Sequence, residues 1–198
     1  MPFAYPISLA LEGRRAVVIG ATAVRERKDE ALRAAGATVD VFANRAWRPQ
    51  DLDGAFVCVA SSEDPAERDA IARAARERGV LVNIVDDIAN CDFAMPAVVR
   101  RGDLVVAIAT GGASPGLARR LREELSERFG PEWAEIVELV REVREETLSA
   151  LPDLAERSRR WRAALDTAEA ERLIREGRRE ELRALLLARL AIPAEVRV

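Results

Sequence analysis

Short apolar runs alternate with longer polar stretches along the first 110 residues of the chain. The apolar runs lie at residues 15–20, 38–43, 55–60, 80–85 and 104–109. Each has the length of a buried strand, and the stretches 24–35 and 65–78 have the length and polarity of helices. Gly36 and Gly79 follow these stretches where a helix C-cap is expected. Strands separated by such helices predict βαβ units, and therefore an α/β fold with a Rossmann-like, mostly parallel sheet.

The pattern changes after residue 110. Residues 111–115 are typical of a turn, with Ser114 suited to cap a helix and Pro115 suited to its first position. That helix is expected to end at Phe129, before Gly130 and Pro131. The next segment carries an apolar stripe at spacings of three and four, formed by Trp133, Ile136, Val137, Val140 and Val143.

The remainder, after residue 152, is rich in Arg, Glu and Leu and predicts two or three short helices. Its charges have mixed signs, which favours an exposed helical surface over a patch for nucleic acid. The predicted division of the chain is a Rossmann-like domain over 1–110, a helical region over 111–150 and a helical C-terminal region over 151–198.

Composition narrows the class of protein. Hydrophobic residues make up 49% of the chain and charged residues 33%, which fits a globular protein. The net charge of −3 gives no general attraction to nucleic acid, and no apolar run is long enough for a bilayer. The N-terminus lacks the pattern of a signal peptide. With only two cysteines, no disulfide framework is expected, and the cytoplasm is the expected compartment.

The chain contains no histidine. This excludes Ser-His-Asp and Cys-His nucleophilic sites and removes the commonest ligand for transition metals. Acid–base chemistry therefore falls to Asp, Glu, Lys, Tyr or Cys, and no metal site is predicted.

The turn after the first predicted strand stands where a dinucleotide fold holds its pyrophosphate. It comprises Gly20, Ala21, Thr22, Ala23, Val24 and Arg25. Only the first glycine of the G-x-G-x-x-G/A pattern is present, so a cofactor-binding turn and an ordinary βα turn both remain open.

The end of the second strand is where such a site binds ribose. Asp40 lies inside the strand pattern, and the strand is followed by Asn44 and Arg45. Asn44 suits a hydrogen bond to ribose and Arg45 suits a 2′-phosphate. A solvated turn is the alternative.

Two carboxylates, Asp86 and Asp87, follow the fourth predicted strand. Ligands of doubly wound sheets bind beyond the carboxyl ends of strands, which makes Asp86 the best candidate for a general base. The alternative is that either residue shapes a turn or caps a helix. Cys91 is expected to be a packed thiol and Cys58 a core residue.

Five arginines flank the turn at 110–112: Arg100, Arg101, Arg119, Arg120 and Arg122. Guanidinium groups bind carboxylates through charge-assisted hydrogen bonds, so these residues suit a polycarboxylate ligand. A solvated helix face is the alternative.

Several of these segments, in this order, resemble the precorrin-2 dehydrogenase/sirohydrochlorin ferrochelatase family, which includes the N-terminal module of siroheme synthase. The matching segments are residues 5–7, 27–28, 34–37, 51–56, 82–87, 91–93, 96–102 and 109–119. The last two are the most specific. The helical remainder resembles the dimerisation and C-terminal regions of the family only in type.

The resemblance implies oxidation of precorrin-2 to sirohydrochlorin with NAD as hydride acceptor, followed in some members by iron insertion. It implies a homodimer formed through the helices after residue 114, with no nucleic-acid or membrane partner. Asp86 matches the catalytic aspartate, which accepts a proton, and residues 20–24 with Asn44 and Arg45 match the cofactor-binding turns. The residues matched to the tetrapyrrole cleft are Thr110, Gly111, Gly112, Ser114 and Arg119.

The sequence departs from the family in its cofactor half. The glycine-rich turn keeps one glycine, and Arg68 stands where the family often has asparagine. The segment between the second strand and residue 51 is shorter than in the family, so a helix and a strand are missing. The alternative function is therefore a divergent member with weak or no NAD binding, acting as a tetrapyrrole-binding protein or metal chelatase.

Overall fold

The computed structural model of the chain describes residues 5–20, 23–43 and 47–191. Its strands are β1 (Arg15–Ile19), β2 (Thr38–Phe42), β3 (Val57–Ala60), β4 (Leu81–Ile84), β5 (Ala97–Arg101) and β6 (Leu104–Ile108). Its α-helices are α1 (Ala23–Ala34), α2 (Pro65–Glu77), α3 (Pro115–Arg128), α4 (Glu132–Thr147), α5 (Leu154–Ala164), α6 (Thr167–Arg175) and α7 (Arg179–Arg189). Short 3₁₀ turns occupy Pro49–Leu52 and Ile88–Asn90.

The first four strands form one parallel sheet in the order β2-β1-β3-β4. One face of the sheet packs against α2, where Val17 and Val82 meet Ile71. On the other face Val18 and Val59 belong to a cluster with Leu32 of α1. Both faces are apolar because both are covered, which is why the strands are continuous hydrophobic runs in the sequence. The predicted Rossmann-like α/β fold is confirmed.

The connection from β2 to β3 is short, as the sequence indicated. Between residues 47 and 56 its only regular element is the 3₁₀ turn at Pro49–Leu52. The Arg15 side chain holds this connection by donating to the carbonyl oxygens of Asp51 and Asp53 at 2.8 and 2.7 Å. Its Nε also donates to Asp40 Oδ2 at 2.8 Å, so the carboxylate of Asp40 serves an ion pair on the sheet.

The fifth predicted strand does not join the parallel sheet. Residues 104–108 form β6, which pairs antiparallel with β5, a strand that the apolar pattern did not predict. The two-residue turn between them contains Gly102 with a φ of +54°, a conformation that suits a tight hairpin.

Chain contacts divide the protein into two compact units, residues 1–95 and 96–198. The first predicted boundary lies between residues 110 and 111. The division falls earlier because β5 and β6 pair with each other, and both belong to the second unit. The further boundary near residue 150 stays a prediction.

The second unit contains the hairpin and five helices among its described residues. Three of them follow residue 152, which confirms the predicted short helices. The predicted stripe on α4 is largely correct: Ile136 and Val143 are buried, and Trp133 and Val140 pack beside them. Leu139 is buried, whereas Val137, which was predicted to lie on the buried stripe, is only partly buried. No helix in the described ranges is both long and apolar enough to span a bilayer.

Two buried carboxylates join the helices of this unit. Glu132, in the first turn of α4, forms an ion pair with Arg175 of α6. Glu171 of α6 accepts a hydrogen bond from Arg128 of α3 at 2.5 Å. Desolvation raises the pKa of Glu132, but its hydrogen bond from its own backbone amide and its contact with Arg175 outweigh that effect and lower the pKa below 4.5.

We expect Glu132→Gln to reduce the free energy of unfolding by about 1–3 kcal/mol at neutral pH, the size of a hydrogen bond to a charged group. Because the folded-state pKa is lowered, this contribution is present above pH 4.5 and is lost as the pH falls through the folded-state pKa. Chemical denaturation at several pH values measures it. Glu138→Gln, at an exposed position on the same helix, is the control. Equal stability of the two variants at neutral pH would contradict the prediction.

Candidate functional site

The carboxyl ends of three parallel strands form one row. Ile19 of β1, Ala60 of β3 and Ile84 of β4 are register partners. The row continues beyond the strands, because the Ser61 amide donates to Ile19 at 2.9 Å and the Val85 amide donates to Ala60 at 2.8 Å. The chain leaves β1 toward β2 but leaves β3 toward β4, in the opposite direction. The crevice between β1 and β3 is therefore the topological switch point, where ligands of this architecture bind.

Gly20 lies at this switch point. Its φ is +124°, and a Cβ added there would lie 2.5 Å from the carbonyl oxygen of Ser61 and would also overlap the Ser61 hydroxyl. Only glycine fits this position, which is the role of the first glycine in a dinucleotide turn. Helix α1 begins three residues later at Ala23, so its N-terminal amides and partial positive charge lie next to the turn.

The other predicted cofactor-binding residues are placed only in part. Ala23 and Val24 lie in the first turn of α1. Ala21, Thr22, Asn44 and Arg45 lie outside the described residues. The residues that are described fit a bound dinucleotide. Gly20 brings no side chain to the switch point, and a helix begins three residues later at Ala23.

Asp86 follows β4 at the same edge of the sheet. Neighbouring strands lie about 4.8 Å apart, and β3 lies between β1 and β4. The residues that follow β4 are therefore roughly 10 Å from those that follow β1. The Asp86 side chain is exposed, and its carboxylate has no hydrogen bond or ion pair with the residues that the structure describes. Its φ is +60°, a left-handed conformation that Asp tolerates better than most residues but that still costs energy.

Asp87, in contrast, is engaged by neighbouring side chains. Its Oδ2 accepts a hydrogen bond from Asn90 Nδ2 at 3.0 Å and lies 3.2 Å from Arg68 Nε. The hydrogen bonds from Asn90 and then the charge of Arg68 outweigh desolvation and lower the pKa of Asp87 below 3.8. Among the described residues, Asp87 is therefore held by side-chain contacts, whereas the carboxylate of Asp86 has none.

The thiol of Cys91 lies beneath this turn. Its Sγ accepts a hydrogen bond from the Ile84 amide at 3.1 Å and lies 3.2 Å from the carbonyl oxygens of Ile84 and Asp87. Desolvation raises the pKa of Cys91, and burial raises that of Cys58 to about 12. Both thiols are packed, as the sequence indicated.

The predicted tetrapyrrole-binding residues lie in the second unit. Thr110 Oγ1 accepts from the Ser114 amide at 3.3 Å and donates to its carbonyl oxygen at 3.2 Å, which closes the turn formed by Gly111 and Gly112. Ser114 caps α3 as predicted, because its hydroxyl accepts from the Leu117 amide at 3.1 Å.

The arginines near this turn differ in their contacts. Arg119 and Arg120 are exposed and pair with Glu123 and Glu124 one turn along α3, and Arg122 lies 3.6 Å from Glu123. Arg101 donates to Ser126 through Nη2. Arg100 is exposed, and its guanidinium has no partner among the described residues.

Sequence reasoning missed two contributors to the β4 edge. Asn90 contacts Asp87 from the following 3₁₀ turn, and Arg68 contacts it from α2. The sequence shows arginine at position 68, where the family often has asparagine. It does not show that Arg68 contacts Asp87. In the described ranges no group of three or more acidic or cysteine side chains is placed to hold a metal ion.

Two family models match the chain. Residues 7–97 match a family model described as putative NAD(P)-binding. Residues 101–128 match the model of the sirohaem biosynthesis protein central domain. The two models follow each other in the order of the two structural units.

Comparison with individual proteins gives the same relationship. The chain is 32% identical over 201 residues to the siroheme synthase of Methylococcus capsulatus, covering 92% of this chain and 42% of that protein. For the siroheme synthase of Azotobacter vinelandii the identity is 32% over 205 residues, covering 94% of this chain and 44% of that protein. The chain thus spans less than half the length of these relatives.

A solved structure shares the fold. The precorrin-2 dehydrogenase SirC superposes with a TM-score of 0.60 at 20% identity, covering 95% of this chain and 99% of SirC. The predicted order of motifs, the two family models and the siroheme synthase relatives agree. These matches confirm the predicted resemblance to the N-terminal module of siroheme synthase.

Proposed function

We propose that this chain is an NAD-dependent dehydrogenase that oxidises precorrin-2 to sirohydrochlorin in siroheme biosynthesis. One observation carries the proposal. A glycine turn suited to a dinucleotide and an exposed carboxylate lie along the same carboxyl edge of a parallel sheet. The names and activities of the siroheme synthase relatives and of SirC support the choice of substrate.

The cofactor half of the site is the crevice between β1 and β3. Gly20 lets the chain turn without a side chain, and the N-terminus of α1 offers amide donors to the pyrophosphate. Bound NAD⁺ supplies an acceptor for the hydride that leaves the substrate. Asn44 and Arg45 are proposed to contact the ribose end.

Asp86 is proposed to accept the proton. Oxidation of precorrin-2 removes a hydride and a proton. An exposed carboxylate without a partner among the described residues can take the proton from a substrate bound at this edge. The strained backbone at Asp86 agrees with such a role, since strained residues concentrate at functional sites.

Thr110, Gly111, Gly112, Ser114 and Arg119, all in the second unit, are proposed to bind the tetrapyrrole. The turn closed by Thr110 and Ser114 exposes backbone at Gly112, where no side chain restricts a flat ligand. The guanidinium of Arg100, which has no partner in the described part of the chain, suits a substrate carboxylate. Arg119 can bind a substrate carboxylate only if it gives up its exposed ion pair with Glu123. The loss of free energy is small, because surface ion pairs are weak.

The decisive experiment is anaerobic incubation of the purified protein with precorrin-2, with and without NAD⁺, while the absorbance of sirohydrochlorin is followed. Conversion that depends on NAD⁺ is expected. Bound tetrapyrrole without conversion would instead support the divergent, NAD-independent member, and insertion of iron into added sirohydrochlorin would then be measured. A comparison of NAD⁺ with NADP⁺ in the same assay settles the preferred cofactor.

We also propose that the protein is a homodimer that acts in the cytoplasm. Helix α3 has no buried residue in the single chain, and Leu117 on it is 50% exposed. The hairpin exposes Val98 and Val105 at 38% and 43%. A second copy is the occupant that the family resemblance implies for these surfaces. Both cysteines are free thiols, in keeping with a reducing compartment.

We expect Leu117→Glu to shift the protein from dimer to monomer in light scattering, because a charge would be buried in the dimer contact. Leu154→Glu, at a more exposed leucine on α5, is the control and is expected to remain dimeric. An unchanged dimer for Leu117→Glu would exclude α3 from the interface.

A further inference from the structure

We propose that Arg68 is a positioning residue for Asp86: by binding Asp87 and the carbonyl oxygen of Ser62, it fixes the candidate base relative to the cofactor crevice. The inference rests on the proposed function, since it assigns Arg68 a role in the same reaction. It gives a function to a residue at which this chain departs from its family.

Arg68 connects two segments of the sheet edge. It lies in the second turn of α2, and its Nη1 donates to the carbonyl oxygen of Ser62 at 3.1 Å, in the segment after β3. Its Nε lies 3.2 Å from Asp87 Oδ2, in the segment after β4. The side chains of Arg68 and Asp87 are only 26% and 15% exposed, so solvent screens the contact less than it would on an open surface.

The neighbouring contacts restrict Asp87 further. Asn90 Nδ2 donates to Asp87 Oδ2 at 3.0 Å and also to Asp69 Oδ1 of α2 at 2.8 Å. The amide of Asp87 donates to the carbonyl oxygen of Ile84 at 3.3 Å. The residue directly after Asp86 is therefore held through both its side chain and its backbone.

This restraint bears directly on Asp86. A non-glycine residue with a φ of +60° relaxes readily if the flanking peptides can rotate. Val85 before it donates to Ala60 at 2.8 Å, and Asp87 after it is bound to Arg68. Without Arg68, rotation of the peptide between Asp86 and Asp87 would move the carboxylate of Asp86 away from its present direction.

The same helix offers a matched control. Arg76 of α2 donates through Nε to Asp92 Oδ1 at 3.0 Å, and Asp92 Oδ2 accepts from the Val82 amide at 3.1 Å. This ion pair also joins α2 to the segment after β4, but it does not touch the turn that carries Asp86. A merely structural role for Arg68 would make the two arginines equivalent.

The experiment compares Arg68→Gln with Arg76→Gln in the full chain. Misplacing a catalytic group by about 1 Å can cost up to 100-fold. We therefore expect Arg68→Gln to lower kcat by roughly 10-fold or more with little change in KM for NAD⁺ or precorrin-2. Arg68→Lys, which keeps the charge, should recover part of the rate, and Arg76→Gln should stay within about 2-fold of the parent. Equal kcat for the two Gln variants would overturn the inference.

Two further measurements separate this inference from the proposed function. Combined with Asp86→Asn, Arg68→Gln should have no additional effect on kcat, because residues that act as one unit are not additive. Additive losses would overturn the positioning role. If Asp86→Asn alone retains full turnover, the assignment of the base fails, and the inference fails with it.

Amide hydrogen exchange tests the geometry without turnover. Arg68→Gln is expected to speed amide exchange at Asp87 and leave exchange at Val82 unchanged. Arg76→Gln is expected to speed exchange at Val82 and leave exchange at Asp87 unchanged. Unchanged exchange at Asp87 in Arg68→Gln would show that the ion pair does not restrain the turn, and would overturn the inference even if Asp86 proves to be the base.

Discussion

Asp86→Asn is expected to lower kcat for precorrin-2 oxidation by about 10²–10⁴-fold, the usual contribution of a general base. The amide keeps the size of the carboxylate but cannot accept the proton. Folding should be unaffected, because the side chain is exposed and asparagine tolerates a positive φ at least as well as aspartate. Anaerobic steady-state kinetics and thermal unfolding of the same sample measure both effects.

The control for this variant is Glu63→Gln, which neutralises an exposed carboxylate in the segment after β3. It changes the net charge by the same amount at a neighbouring part of the molecule, and kcat should stay within about 2-fold of the parent. If both variants lose activity equally, a general loss of negative charge explains the result, and Asp86 is not the base.

Gly20→Ala is expected to reduce the free energy of unfolding by about 3 kcal/mol, the sum of backbone strain and overpacking. A φ of +124° is accessible to glycine and strained for alanine, and the new methyl group would meet the carbonyl oxygen of Ser61. Relief requires the turn to move away from β3, so NAD⁺ affinity should fall in a fluorescence titration under conditions where the variant is folded.

Gly79→Ala separates the cost of backbone strain from the cost of the steric contact with Ser61. Gly79 follows α2 with a φ of +67°, and an added Cβ there would have no neighbour within 4 Å. Its substitution should cost about 1 kcal/mol from backbone strain alone and leave NAD⁺ affinity unchanged. Equal losses of stability in the two variants would show that the contact with Ser61 adds nothing.

The parallel sheet could be predicted because its strands are buried on both faces and therefore form uninterrupted apolar runs. β5 could not be predicted in this way. Its last two residues are Arg100 and Arg101, so only three apolar residues precede the charges, too few for the run that marks a buried strand. The signal that was available lies in the turn, where Gly102 and Asp103 have the composition of a two-residue hairpin loop.

From the sequence, Asp86 was the best candidate for the base, but it remained open whether either acid shapes a turn or caps a helix. The distinction depends on Arg68, which α2 brings to Asp87, and on Asn90, which the following turn brings to the same carboxylate. The contact from Asn90 is local, three residues along the chain, whereas the contact from Arg68 depends on the packing of α2 against the sheet. The catalytic assignment of Asp86 and the roles of Thr110 and Arg119 stay predictions, for which the kinetic variants are the test.

The unpaired side of β2 has a consequence for self-association. In the described chain β2 pairs only with β1, so its other side is an open edge to which a strand of another molecule can add. The middle residue of β2 is Asp40, whose side chain is 47% exposed and paired with Arg15. A charge at the centre of an edge strand disfavours intermolecular strand addition, so this ion pair protects a shortened sheet from aggregation.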